Sequence, residues 1–347
     1  MLVDSPPEQC AETAPAPPTR RAIRAVGLLV SVVVLVLVAL TSIAIGAKVL
    51  SPEQVWHGLF HYTGTYGDVV VDERLSRTVL GLLAGAALGL SGAVLQALTR
   101  NPLADPGLLG INAGASAAVV TAMTYFGVTS LGGYVWFAFA GAAAVGALVW
   151  FLGGSRGATP VRLALAGTAI SAALYGYLQA VMITDQAALA KMRFWTVGSL
   201  ASATNSTILQ VLPFLAAGTV LALALARPLN AVAMGDDTAK ALGANLNRTR
   251  ALSMLAATVL CGAATAACGP IAFVGLMVPH VVRSFTGPDL RWILPYATIL
   301  SPVLLLGADV IGRVVARPSE LQVGIVTALI GGPVFIFLVR RRRTAQL

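Results

Sequence analysis

Long apolar stretches, separated by short polar or glycine- and proline-containing segments, dominate the chain. Most of them are about 17–25 residues long, the length that crosses the hydrocarbon core of a bilayer as an α-helix. They lack the short alternating segments that are typical of an outer-membrane barrel. We therefore predict an all-α membrane protein of about ten transmembrane helices, at residues 25–47, 75–98, 107–127, 133–153, 160–183, 206–226, 249–268, 270–285, 292–312 and 322–339.

The start of the chain has a different composition. Residues 1–19 are rich in proline, alanine and glutamate and contain no aromatic residue, which is typical of disorder. We predict a disordered cytoplasmic tail at 1–22 and a single polytopic transmembrane domain at 23–347. A secretory or twin-arginine signal is the alternative, although the apolar run at 25–47 is longer than the ~7–15 residues of a signal.

Composition and charge support a membrane location. Hydrophobic residues make up 57% of the chain and charged residues 11%, with a mean hydropathy of +0.83, whereas soluble domains have about 25% charged residues. The net charge of +9 does not indicate nucleic-acid binding, because the basic residues lie at span ends. Sixteen of the 23 lie on one predicted side, so the positive-inside rule places both termini in the cytoplasm.

A repeat links the two halves of the chain. Gly85-Ala86-Ala87, Gly92 and Pro102 recur 177 positions later as Gly262-Ala263-Ala264, Gly269 and Pro279. Chance matching in a chain rich in glycine and alanine is the alternative explanation. A true repeat gives two five-helix halves, and an odd number of helices per half inverts the second half.

The sequence contains no group of residues that is typical of covalent catalysis. We find no nucleophile with a base, no metal-binding cluster and no phosphate-binding GxxxxGK[ST] loop. Nearly all acidic residues lie in the tail or in loops, and only Asp309 falls just inside a span end. Ion-coupled transporters need ionisable groups within the membrane. We predict that the chain is not an enzyme, binds no metal or cofactor, and depends on a separate ATPase.

Two smaller features have ordinary explanations. Cys261 and Cys268 lie seven positions apart without a CxxC pattern, which indicates packing of small residues rather than a zinc site or a disulfide. His57 and His61 follow the first span and could contact a metal or haem. We favour an interfacial helix, anchored by Trp56 and Tyr62.

The segment 227–250 is too long for a simple connection between spans. Two acidic residues open a short helical pattern that a glycine ends, which predicts a rigid helix suited to a cleft on a partner. An ordinary solvated loop is the alternative. The residues that define this helix are Gly235, Asp236, Asp237, Ala239, Leu242 and Gly243.

The same segment, GDDTAKALG, resembles the ATPase-coupling helix of the FecCD-type permeases, which import ferric siderophores, haem and cobalamin. Three further stretches resemble that family in the same order, so that the similarity covers most of the chain from about residue 50. They are RLSRTVLGLLAGAALGLSGAVLQALTRNPLADPGLLGINAGAS (74–116), CGPIAFVGLMVPHVVR (268–283) and ELQVGIVTALIGGPVFIFLVRR (320–341).

The resemblance implies the transmembrane subunit of a type II ABC importer in the cytoplasmic membrane. Its partners would be a second permease, two cytoplasmic ATPases that bind ATP and Mg²⁺, and an extracellular substrate-binding lipoprotein. Ferric siderophores are the expected substrates, with haem and cobalamin as alternatives. An ion-coupled transporter or channel, and a membrane-embedded enzyme or assembly factor, are competing hypotheses from other functional classes.

Particular residues match functional positions of the family. Arg74, Arg77 and Arg313 correspond to arginines that pair with glutamates on the binding protein, although Ser76 replaces a proline of that motif. A guanidinium suits this role because it presents a planar fork to a carboxylate. The cytoplasmic gate is implied to involve Asn101, Leu103 and Thr159, with turn formation around Pro102 and Pro160 as the alternative.

Overall fold

The computed structural model describes residues 20–128, 130–154, 160–241 and 243–343, and all regular structure within these ranges is helical. The helices are α1 (Arg20–Ala44), α2 (Pro52–Phe60), α3 (Tyr66–Thr99), a 3₁₀ turn (Pro106–Leu109), α4 (Ile111–Tyr125), α5 (Leu131–Gly154), α6 (Pro160–Thr184), α7 (Gln186–Trp195), α8 (Asn205–Ala224), α9 (Ala226–Ala233), α10 (Asp236–Ala241), α11 (Leu246–Cys268), α12 (Val274–Thr286), α13 (Leu290–Val315) and α14 (Val323–Arg343).

Each of the ten predicted spans overlaps one helix, but not all of these helices are long enough to cross a bilayer. Seven are sufficiently long and apolar within the described ranges: α1, α3, α5, α6, α8, α11 and α13. Of the other three, α4 and α12, at the third and eighth predicted spans, have only 15 and 13 residues. In α14 the apolar helix is limited to Val323–Phe337. A crossing helix needs about 20 residues. The chain is thus a multi-pass helical membrane protein, and the count of ten is not confirmed.

The ends of two helices differ from their predicted positions for local reasons. α3 begins at Tyr66 because Thr65 forms a reciprocal capping box with Asp68. α12 begins at Val274 because Gly269 and Phe273 both adopt positive φ, which prevents a helix from starting at residue 270. At the start of the chain, α1 includes residues 20–22 of the predicted tail, and residues 1–19 lie outside the described ranges.

Helices α3 and α11 form the centre of the bundle. In their most apolar windows, 78% of α3 and 72% of α11 are buried, compared with 17% of α1. Small residues permit this packing: a Cβ on Gly92 would collide with the backbone of Gly275 in α12, and one on Gly85 would lie 2.6 Å from the Cα of Pro302 in α13. Close backbone approach is the usual basis of helix association in lipid.

The two central helices run in opposite directions. The last residues of α3 and the first turns of α11 both approach Asp236, because Arg100 and Arg250 each form an ion pair with it. The opposite end of α11 does not approach Asp236. It contacts the segment between α7 and α8, where the Cys268 carbonyl accepts a hydrogen bond from the Ser199 N–H. The repeated segments at 85–87 and 262–264 therefore lie in buried, antiparallel helices.

Contacts between distant residues define two ends of the bundle. We call one the α2 end: here α1 and α13 finish, α3 begins, and Arg313 reaches the Ser42 carbonyl. We call the other the α10 end: here α3 finishes, α11 and α13 begin, and the Tyr296 hydroxyl donates to the Arg24 carbonyl. Arg24, Arg100 and Arg250, which were predicted to lie on one side of the membrane, are thus brought to the same end.

Candidate functional site

Two clusters of charged side chains, one at each end, contain most of the predicted site residues. At the α2 end the cluster is centred on the Asp309 carboxylate, which is fully buried. Arg77 donates three hydrogen bonds to it, at 2.7 to 3.1 Å, through Nε and Nη2. The Arg77 Nη1 group pairs with Glu320 at 2.7 Å. Arg77 therefore bridges the last two turns of α13 and the segment before α14.

The other two predicted docking arginines are bound to α1. Arg313, which is 1% exposed, donates to the backbone carbonyl and to the hydroxyl of Ser42, both at 2.9 Å, and lies 3.1 Å from Asp309. Arg74 donates to the carbonyls of Ile43, Ala44 and Lys48. The last carbonyls of a helix lack partners within the helix, so Arg74 and Arg313 satisfy the C-terminal end of α1.

The sequence interpretation found these three arginines but missed their partners inside the chain. Asp309 and Arg313 are four residues apart on one helix and form an ion pair. A carboxylate within a span needs such a partner, and this spacing was the signal that could have revealed it. Of the three arginines, Arg77 has the most exposed side chain, at 11%. Their role in docking a partner stays a prediction.

The two histidines at the same end contact other side chains of this chain. His57 Nδ1 lies 2.9 Å from Asp68, whose other carboxylate oxygen accepts bonds from Thr63 and Thr65. The His57 and His61 rings lie 6.2 Å apart between centroids. Among the described residues, no group of three or more His, Cys, Asp or Glu side chains is placed to hold a metal. The contacts join α2 to the start of α3.

At the α10 end, the short helix predicted within 227–250 is present as α10. Gly235 and Gly243 have φ values of +118° and +77° on either side of it. Gly243 N–H donates to Lys240 and Ala244 N–H to Ala239, the pattern of a Schellman C-cap. Ala239 is fully buried against Val232 and Leu246. The segment contains a second helix, α9, that was not predicted, and Leu242 lies outside the described residues.

The two adjacent acids of α10 have different environments. Asp236 pairs with Arg100, and also with Arg250 at 2.7 Å, whereas Asp237 is exposed and forms no ion pair within the described ranges. Burial alone raises the pKa of Asp236, but the hydrogen bonds from Arg250 and Arg100 outweigh it and the pKa lies below its ordinary value. The sequence interpretation treated Arg100 and Arg250 only as span-end charges.

The predicted gate residues follow Arg100 directly. The Asn101 side chain accepts a hydrogen bond from the Leu103 backbone N–H at 3.0 Å, which is the turn chemistry expected before Pro102. Asn101 also lines a cavity of about 320 Å³ between α3, the 3₁₀ turn and α6, together with Thr99, Asp105 and Thr168. Thr159, the other predicted gate residue, lies outside the described residues.

Comparisons with known proteins extend these observations to most of the chain. Residues 34–341 match the profile of the FecCD transport family. The ferric enterobactin transport system permease protein of Escherichia coli (strain K12) is 49% identical over 327 residues, covering 93% of this chain and 96% of that protein. The iron(3+)-hydroxamate import system permease protein of Bacillus subtilis (strain 168) is 40% identical over 320 residues, with coverages of 91% and 83%.

Two further likenesses complete the comparison. The hemin transport system permease protein of Yersinia pestis is 37% identical over 322 residues, covering 90% of this chain and 94% of that one. Among solved structures, an inward-facing structure described as a metal-chelate type ABC transporter superposes with a TM-score of 0.82 at 28% identity. It covers 91% of this chain and 99% of that one.

Proposed function

The chain belongs to the FecCD transport family, and from that membership we propose that it forms the membrane pathway through which a ferric siderophore enters the cytoplasm. It is a multi-pass permease subunit of an ABC transporter and not itself an enzyme. The observation that carries the substrate proposal is the identity of 49%, over nearly the full chain, to a permease named for ferric enterobactin. The permease named for hemin is 37% identical.

The exposed polar surface of α6 supports a second permease as partner. In their most apolar windows α1 and α6 are equally exposed, with 17% buried in each, but their mean hydropathies are 2.9 and 1.3. A helix that faces lipid needs an apolar surface. α6 instead exposes Thr168, Tyr175 and Gln179, so we propose that it faces a translocation path shared with another permease, identical or related.

We further propose ten crossings with both termini in the cytoplasm, and two inverted five-helix halves. The short helices α4 and α12 would each cross together with the irregular residues that precede them, as broken helices do where protein covers their backbone. The α10 end would then face the cytoplasm. Antiparallel packing of α3 and α11 supports the inversion, and the excess of basic residues predicted on that side supports the orientation.

The energy source in this proposal is a pair of cytoplasmic ATPases bound at α10, which carry the ATP and Mg²⁺, while this chain carries no cofactor. An ion-coupled mechanism is less well supported. The Asp309 carboxylate in α13 is held by Arg77 and Arg313 and has no exposed surface, so it offers no free carboxylate to a transported proton or sodium ion.

Docking of an extracellular substrate-binding protein is proposed at the α2 end, through Arg77 first. Its side chain is 11% exposed, and its Glu320 partner is 37% exposed, so a carboxylate on the binding protein could take the place of Glu320. Arg74 and Arg313 would hold the end of α1 below this contact. Asn101, Leu103 and Thr159 are proposed to narrow the path at the cytoplasmic end.

Uptake of radioactive iron supplied as ferric enterobactin tests the transport assignment. Cells that lack this permease are expected to lose uptake, and a plasmid copy of the gene to restore it. Hemin and cobalamin uptake, measured in the same strains, distinguishes the alternative substrates. Retention of full ferric enterobactin uptake in the deletion strain would refute the assignment, and uptake that is abolished by a proton uncoupler with ATP maintained would favour the ion-coupled alternative.

A further inference from the structure

The first observation concerns where the two arginines bound to Asp236 come from. Arg100 is the residue that ends α3, and Arg250 lies in the first turns of α11. α3 and α11 are also the two most buried of the crossing helices. One carboxylate on a six-residue surface helix is thus bonded to both central helices of the bundle.

The second observation is the conformation of Arg100. Its backbone is left-handed, with φ of +51°, a strained conformation that residues with a side chain rarely adopt. The side chain compensates with contacts on both sides of Gly235: Nε donates to the Val232 carbonyl at 2.9 Å, and Nη2 donates to Asp236. The left-handed conformation of Arg100 also sets the direction in which the backbone continues to the next residue, Asn101.

The third observation is exposure. The side chains of Arg100 and Asp236 are 38% and 40% exposed. Ion pairs as open as this contribute little to stability, because water screens the two charges. The connection between Arg100 and Asp236 therefore adds little to the stability of the fold. A contact that transmits movement does not have to be strong, but it has to join the two segments in a defined geometry.

We propose that Asp236 is a positioning residue that transmits movement of α10 to the gate segment, through Arg100 to residues 101–103 and through Arg250 to α11. The proposal rests on the proposed function, because α10 moves only if an ATPase pulls on it. When α10 shifts, Arg100 must follow or lose its contact with Asp236. Its backbone turn then reorients Asn101 and Leu103.

The test uses the complete transporter, with ATPase and binding protein, reconstituted in liposomes. The quantity measured is ferric enterobactin transported per ATP hydrolysed. Asp236→Asn keeps the size of the side chain and removes the charge that holds both arginines. We expect this ratio to fall by at least about tenfold, which corresponds to ~1.4 kcal/mol of coupling, while the ATPase still co-purifies and the melting temperature stays within a few degrees.

Two controls separate transmission from a general loss of charge. Arg250→Gln should lower the ratio, whereas Arg248→Gln, on the same helix and with no ion pair in the described structure, should not. Arg100→Gln combined with Asp236→Asn should be no worse than Asp236→Asn alone, because Asp236→Asn already removes the ion pair with Arg100.

The outcomes distinguish this proposal from the function it assumes. If the unmodified transporter takes up no ferric enterobactin at the expense of ATP, the proposed function is wrong. If it does so and Asp236→Asn retains the normal ratio, or if Arg100→Gln and Asp236→Asn have additive effects, only the transmission proposal is overturned. An equal loss of coupling in Arg248→Gln would also overturn it.

Discussion

The two ends of the bundle use the same side-chain types in opposite ways. At the α2 end, Asp309 is fully buried and bonded to two arginines that are themselves 11% and 2% exposed. At the α10 end, Asp236 is also bonded to two arginines, but its side chain is 40% exposed. A buried charge must keep its partners, because losing one leaves the other unsolvated. A charge in contact with water can exchange partners at little cost.

This difference fits our proposal, in which the α2 end holds its helices in place and the α10 end transmits movement. Four predictions test it, each comparing the two carboxylates or the groups beside them.

The largest effect is expected from Asp309→Asn. Removing this carboxylate leaves the Arg77 and Arg313 guanidiniums without their shared counter-charge, and breaking a buried ion pair from one side costs about 3–5 kcal/mol. Thermal unfolding of the purified permease in detergent should show a large fall in midpoint, or the protein should fail to accumulate in the membrane. Glu320→Gln removes the more exposed acid from the same arginine and serves as the control. Equal effects of the two would contradict the comparison.

The second prediction concerns Asp237, the exposed neighbour of Asp236. Charge reversal, Asp237→Lys, should weaken binding of the ATPase by about tenfold, because an exposed charge facing a partner acts mainly on association. The stability of the permease itself should not change, since Asp237 forms no ion pair in the described structure. ATPase retained on the tagged permease gives the measurement. Unchanged retention would remove α10 as the coupling contact.

A smaller effect is expected from Glu320→Gln on docking. In the proposed exchange, Glu320 competes with the binding protein for Arg77. Removing the competitor should tighten the affinity of the binding protein for the permease by about threefold, and the effect should fade at high salt because the contact is exposed. Surface plasmon resonance against the permease in nanodiscs measures it. Weaker binding in the variant would mean that Glu320 is itself part of the docking surface.

No effect is expected when coupling is measured between about pH 6 and about pH 8. The pKa of Asp236 is lowered in the folded protein, so its ion pairs contribute fully above the ordinary Asp pKa of about 3.9 and are lost only as the pH falls below it. Transport per ATP in liposomes should therefore be constant across this range. A decline within it would contradict this prediction and would mean that a group other than Asp236 titrates in this range and limits coupling.

The sequence was most informative about features that depend on neighbouring residues, such as helix ends, or on a long run of similar residues, such as apolar spans. The spans at 133–153 and 206–226 match α5 and α8 within a few residues, because a run of apolar residues in lipid has to satisfy its own backbone as a helix. α10 was predicted from two acids and a terminal glycine, which are short-range signals. The start of α12 was misplaced because nothing in the sequence near Gly269 reveals the positive φ of Phe273.

The sequence alone determined the helical class, the membrane environment and the family motifs, since these depend on the length, polarity and order of segments. Only the tertiary structure decided which charges meet. Arg77 and Asp309 are 232 positions apart, and Arg100 and Asp236 are 136 positions apart. Their pairing depends on how α3 packs against α13 and α9, and so does their exposure. Because Asp309 is buried, it is a fixed part of the fold. Because Asp236 is exposed, it can transmit movement in our proposal.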